Sequence, residues 1–308
     1  HQEARRQRQM CIRDSDRGVY VSGAKAHQTG CINSHWILLM PTIRLTENDK
    51  DWAVVGAIPA DAKGVTYIYG RQSCDTRSME EGTIDEGTAK FGGQEAWIIL
   101  DRVFIPWDKI FMHGEYEFAS MLVERFTCYH RRSYVCKTGL GDVLIGAAAT
   151  IADYNGVPKV SHIKDKIIEM THLNETIFAA GIASSHQGQK MKSGVYLNDD
   201  MLAQVCKHNV TRFPYEISRL AQDIAGGLGV TLPSEKDFRH PEAGPLLKKY
   251  LAGRKGADVE NRMRILRLIE NMTLGRNAVG YLTESMHGAG SPQAQRIQIQ
   301  RQMQVGYK

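Results

Sequence analysis

The sequence predicts an α+β protein in which a β domain precedes a helical bundle. Short apolar runs closed by glycine, proline or aspartate recur from Gly18 to about Ile110, and helical spacing takes over after Tyr116. The 308 residues are 42% hydrophobic and 24% charged, enough for a buried core in each of two ordinary domains.

Each β element is bounded by its own punctuation. Gly18-Val19-Tyr20-Val21-Ser22-Gly23 is a run between glycines, and His35 to Pro41 is apolar until its proline. Trp52 to Pro59 repeats that grammar, followed by Gly64 to Gly70, Ala96 to Leu100 and Arg102 to Pro106. Strands this short and closely spaced predict a barrel or sandwich, here expected as a β-barrel domain over residues 16–118. In the second half, Ser161 reads as a helix N-cap before Ile163, Ile167, Met170, Asn174, Ile177 and Gly181. Val259, Met263, Leu266, Ile269 and Met272 form another stripe after Asp258, and a third helix follows Asp199. Residues 119–308 are thus expected to form a C-terminal helical bundle domain.

Composition limits the function classes. The net charge of +5 is dispersed, which gives no case for nucleic acid but suits an anionic ligand. No apolar run approaches the roughly 20 residues of a membrane span, and no secretory signal is visible, so a cytoplasmic protein without a membrane partner is expected. The six cysteines, Cys11, Cys31, Cys74, Cys128, Cys136 and Cys206, are scattered without a CxxC pair. They read as thiols or dispersed metal ligands, not a disulfide framework. The chain lacks an initiator Met, and Met10 to Ser15 resembles the translation of a sequencing-library transposon end. Residues 1–15 are therefore expected to be an artefactual tail and the chain a fragment.

Four stretches carry candidate chemistry. Gly23 to Gly30, with His27, Gln28 and Thr29, is a polar glycine-bounded loop that suits either a turn or a ligand-facing segment. Glu95, in the stretch Phe91 to Trp97, precedes a buried strand, where a carboxylate is costly unless paired or catalytic; a solvent-facing strand end is the alternative. His130 and Cys136 sit on one loop flanked by Arg131, Arg132 and Lys137. Both side chains ligate iron and the cations favour a thiolate, although such a pair is also common as structure. Asp223-Ile224-Ala225-Gly226-Gly227 and the glycine at 229 can bring bare backbone to a pyrophosphate or close a helix.

Taken together, Val21 to Gly30, Thr127 to Tyr134, Gly141 to Ala148 and His287 to Arg296 resemble the 4-hydroxybutyryl-CoA dehydratase family, from about Arg17 to the last residue. The resemblance implies an acyl-CoA dehydrogenase-like fold: a middle β-barrel domain, a C-terminal helical bundle that tetramerises, and an N-terminal helical domain missing here. It implies FAD and a 4Fe-4S cluster held by one histidine and three cysteines, with His130 and Cys136 on two ligand positions and the other two in the missing part. It also implies conversion of a CoA-thioester substrate, 4-hydroxybutyryl-CoA, to crotonyl-CoA with vinylacetyl-CoA delta-isomerisation, within 4-aminobutyrate metabolism. Flavin radical chemistry and Lewis-acid iron would drive the reaction. By the same resemblance His130 is the base, Glu95, Tyr134, Lys137 and Glu284 line the substrate site, and His27, Gln28, Thr29 and Asp223, Ile224, Ala225, Gly226 and Gly227 meet the flavin. The family reads His-Arg-Arg-Ser-Tyr-Gly-Gly-Cys where this chain reads through Tyr134-Val135-Cys136, one residue shorter. That change is expected to move Cys136 by about 3.5 Å. Two alternatives accompany the resemblance: a flavin-dependent aromatic monooxygenase of the 4-hydroxyphenylacetate type, and a catalytically incomplete oligomerising fragment.

Overall fold

The computed structural model describes residues 11–69, 82–84, 95–275 and 277–306. Cys74 and Phe91 to Gln94 lie outside them. The chain divides into two compact units, residues 1–71 with 93–127 and residues 72–92 with 128–308.

The first unit is built from antiparallel strands. β1 (Cys11–Ser15), β2 (Gly18–Lys25), β5 (Val65–Tyr69) and β6 (Ala96–Pro106) form one sheet in the order β1-β2-β6-β5. β3 (Trp36–Leu39), β4 (Val54–Pro59) and β7 (Ile110–His113) form the second, in the order β3-β4-β7. The expected closed barrel is thereby corrected: among the described residues the strands make two sheets. Val19, Val21, Ile98, Leu100, Val103 and Ile105 of one sheet share a core with Ile37, Leu39 and Ile58 of the other.

β6 joins two runs that the sequence separates at Asp101. Its buried residues are Ala96, Ile98 and Leu100, then Val103 and Ile105, so the alternation changes phase at Asp101–Arg102. The register with β2 shifts there, between Val21 and Gly23, and Arg102 adopts φ 51° while its amide donates to Ser22 Oγ. A bulge of this kind keeps both halves facing the core without ending the strand.

The second unit is helical, with a small two-stranded sheet. α1 (Ala119–Ser133) runs through one 3-10 turn, Tyr134–Cys136, into α2 (Lys137–Tyr154). Ser133, Cys136 and Lys137 all keep right-handed helical backbone, so the His130–Cys136 segment expected as a loop is helical. α3 (Ser161–His186), α4 (Asp200–Val210), α5 (Phe213–Ala225), α6 (Val259–Thr273) and α7 (Pro292–Gly306) complete the main elements. The α3 stripe is buried at Ile163, Met170, Asn174, Ile177 and Gly181. Ser161 is its first residue, not its cap; Val160 holds the cap position. Asp199 and Asp258 do cap α4 and α6, accepting from the amides of Leu202 and Asn261.

Leu144, Ala147, Ala148, Ile151 and Ala152 of α2 pack with Ile217, Leu220 and Ile224 of α5 and Leu266 and Ile269 of α6. The tract Tyr116–Tyr154 is long and apolar enough to span a membrane by length and composition. Its apolar residues in α2 instead supply this core.

Candidate functional site

In the helical unit the sequence-predicted residues come together around one buried tyrosine. Tyr134 lies in the 3-10 turn and is 5% exposed. The His130 ring lies 5.5 Å from its ring, and Lys137 Nζ lies 5.6 Å from the ring centre. Lys137 is buried and donates to Gly280 O at 2.9 Å and Glu284 Oε1 at 3.2 Å. Glu284 starts the short helix Glu284–His287, directly after a π-helical turn at Val279–Thr283. A π turn is a frequent companion of functional sites because it re-aims the side chains around it. Four of the five predicted catalytic residues, His130, Tyr134, Lys137 and Glu284, are therefore neighbours.

The electrostatics follow from burial. Desolvation, with the nearby cations Lys207 and Arg131, pushes the His130 imidazolium below its ordinary pKa, and Glu284 opposes that. His130 is thus held toward the neutral imidazole, the form that accepts a proton. Two residues absent from the sequence-based site complete the cluster. Lys207 is fully buried, with its Nζ 4.6 Å from the Tyr134 ring centre. Burial, then Arg131 and Lys137, push its pKa down to about 7. A signal was present, since Lys207 lies at helical spacing between the buried Ala203 and Val210 of α4, where a lysine is out of place. Gly288 is the second. A Cβ there would land on the Tyr134 hydroxyl and within 2.9 Å of Glu284 O, so only glycine admits the phenol. Nothing in the spacing around residue 288 announces that approach.

Cys136 does not join them. It is exposed, whereas Lys137 next to it is buried. On a helical path the residue seven positions beyond His130 completes almost two turns and returns to the same face. That residue is Lys137, which shares Tyr134 and Glu284 with His130. Among the described residues, no group of three or more His, Cys, Asp or Glu side chains could hold a metal ion. Cys128 and Cys206 are buried, and burial pushes both thiols up to about 12. The thiol of Cys31 is raised by burial too. Among the described residues, the exposed thiol of Cys136 and the imidazole of His130 are two of the four donors that a 4Fe-4S cluster takes.

Asp223 to Gly227 sit at the end of α5. Ile224 and Ala225 turn their side chains into the core, which leaves backbone as their way to meet a ligand. Asp223 is exposed and pairs with Lys166 at 2.7 Å. Gly226 has φ 76°, and neither it nor Gly227 has any atom within 4 Å of an added Cβ. Their backbone is bare and open, as an approaching cofactor requires.

In the β unit, His27 has φ 60° and is exposed. Gln28 donates its amide to Ala96 O at 3.1 Å, which anchors the loop beside β6. Thr29 Oγ1 donates to Glu95 Oε1 at 2.5 Å, so two residues expected to serve flavin and substrate respectively bond to each other.

Known proteins are similar to this chain in sequence and fold. The family model described as 4-hydroxyphenylacetate 3-hydroxylase C terminal matches residues 119–308, and its N-terminal counterpart matches residues 2–112. A 4-hydroxybutyryl-CoA dehydratase/vinylacetyl-CoA-Delta-isomerase from Clostridium aminobutyricum is 60% identical over 301 residues, 94% of this chain and 61% of the relative. A solved oxygen-tolerant archaeal 4-hydroxybutyryl-CoA dehydratase from N. maritimus superposes with a TM-score of 0.94 and 94% identity, over 97% of this chain and 60% of that one. The oxygenase component of 4-hydroxyphenylacetate 3-monooxygenase, solved with FAD, shares the fold at a TM-score of 0.83 and 22% identity, over 97% of this chain and 61% of that one. The chain thus spans about three fifths of the length of these relatives.

Proposed function

The chain belongs to the 4-hydroxyphenylacetate 3-hydroxylase family, and from that premise we propose that it carries acid–base machinery of a 4-hydroxybutyryl-CoA dehydratase with vinylacetyl-CoA delta-isomerase activity. The observation that carries the reading is the partly buried His130–Tyr134–Lys137–Glu284 cluster in a chain 60% identical to such an enzyme. The monooxygenase relative is far more distant, at 22% identity.

Dehydration of a 4-hydroxyacyl thioester must move protons at carbon and release a hydroxyl. His130, depressed toward its neutral form, suits the role of base at a ring nitrogen. Lys137 and Glu284 share a hydrogen bond in a partly dry setting, where one partner can donate as the other accepts. The Tyr134 hydroxyl reaches the backbone at Gly288, beside the same pair. Lysines here also suit an anionic thioester ligand.

FAD, when bound, supplies one-electron and hydride redox chemistry that side chains lack. The residues of each unit, taken by itself, fit it: in the helical unit the open backbone of Gly226 and Gly227 beside the exposed Asp223, and in the β unit the Gln28–Thr29 loop. A 4Fe-4S cluster, when bound, would take His130 and Cys136 as two of its donors and supply Lewis-acid chemistry. An acyl-CoA dehydrogenase-like arrangement, a homotetramer and a cytoplasmic setting belong to the same proposal. Exposed Phe178 and Ile182, one turn apart on α3, support subunit contact.

The test is anaerobic incubation of the full-length protein, with FAD, on 4-hydroxybutyryl-CoA and on vinylacetyl-CoA. Both are expected to give crotonyl-CoA. Oxygen-dependent hydroxylation of 4-hydroxyphenylacetate in place of either conversion would assign the monooxygenase reading instead.

A further inference from the structure

Lys207 is a fully buried lysine with no carboxylate among its hydrogen-bond partners. Its Nζ donates to Ser285 O at 2.6 Å and Met286 O at 3.2 Å, and faces the Tyr134 ring at 4.6 Å. An ammonium has three donors, and these three contacts use them all. The two carbonyls belong to the short helix that begins with Glu284, so one side chain ties that helix to the tyrosine. Arg131 acts on the next stretch of the same segment, donating to Ala289 O at 3.0 Å and Gln204 Oε1 at 2.9 Å. Ala289 has φ 56°, a left-handed conformation that a residue with a Cβ adopts only under constraint. Lys207 and Arg131 thus pin the Ser285–Ala289 backbone from beneath, while Gly288 leaves room for the phenol.

We propose that Lys207 is a positioning residue: it orients the Tyr134 ring and the Glu284 helix together, and so sets the geometry of the Lys137–Glu284 pair without meeting substrate. The inference rests on the function proposed above. It draws on burial as well as on geometry. A lysine moved from water into this interior is disfavoured, and the surroundings press its pKa down to about 7. Either protonation form retains the two N–H groups that the carbonyls need, so the tie to the Glu284 helix holds on both sides of neutrality. A filler of the core would be served as well by methionine.

The test uses Lys207→Met, which keeps the length and removes every donor, and Lys207→Gln, which keeps a donor without the charge. The protein is labelled with 3-fluorotyrosine, and the Tyr134 resonance is assigned from its loss in Tyr134→Phe. Lys207→Met is expected to shift the Tyr134 fluorine resonance and lower kcat about 100-fold, the scale of a misplaced catalytic group, with KM within a few-fold. Lys207→Gln is expected to fall between Lys207→Met and the parent. A Tyr134 resonance unmoved in both variants would overturn the proposal, as would unchanged kcat in folded Lys207→Met. Failure of both variants to fold would reduce Lys207 to a core residue and equally overturn it. If the unsubstituted protein lacks both conversions, the functional reading falls, while the fluorine spectra still decide whether Lys207 orients Tyr134.

Discussion

The two units treat their polar candidates in opposite ways. In the helical unit, Tyr134, Lys137 and Lys207 are buried and interlocked, and His130 and Lys207 are pushed from their ordinary pKa values by desolvation and by neighbouring cations. In the β unit, Thr29 is exposed, and its bond to Glu95 stands in solvent. The difference teaches where chemistry can be stored ahead of a ligand. A low-dielectric cluster holds its geometry and protonation before anything binds, whereas an exposed pair is screened and free to rearrange.

The sharpest way to break this comparison is Gly288→Ala. The added methyl must displace either the Tyr134 hydroxyl or the Glu284 carbonyl, and overpacking of that kind costs about 3 kcal/mol. Urea denaturation should show the midpoint fall; an unchanged midpoint would mean that the cluster is loose. Glu284→Gln should come next, at about 1.5 kcal/mol, because the buried Lys137 exchanges a charged acceptor for a neutral amide oxygen beside the Gly280 carbonyl. The same variant should lower turnover, measured as crotonyl-CoA formed.

Acid should also act unequally. The Arg239 and Arg264 guanidinium groups hold the Glu260 carboxyl down at about 2. A depressed carboxylate contributes stability above its unfolded pKa, near 4.3, and loses it as pH falls toward the folded value. The denaturation midpoint should therefore drop between about pH 4.3 and 2, and Glu260→Gln should flatten that slope. A slope unaltered by the substitution would place the acid sensitivity elsewhere. The smallest effect is expected at Thr29→Val, within about 0.5 kcal/mol, since an exposed hydrogen bond adds little. A larger loss on thermal melting would show that the β-unit loop is as built as the helical cluster.

Much of this was legible in residue order. Short apolar runs closed by glycine, proline or aspartate located the strands, and the stripes after Asp258 and Asp199 located α6 and α4. The bulge at Arg102 was not legible, because a phase change looks like a strand end until its partner is known. The barrel was overread for a similar reason. Strand spacing cannot say which edges pair, and here β3, β4 and β7 form their own sheet.

The same limit runs through the site. Sequence alone determined that this is a family member with His130, Tyr134, Lys137 and Glu284 as candidates, since motif residues and periodicity are properties of order along the chain. Only the tertiary structure decided that Lys137, not Cys136, shares the face of His130, that Lys207 lies beneath Tyr134, and that Gly288 must stay bare. Those facts depend on helical phase and on contacts between residues more than 70 positions apart, and burial alone gives them their energetic weight.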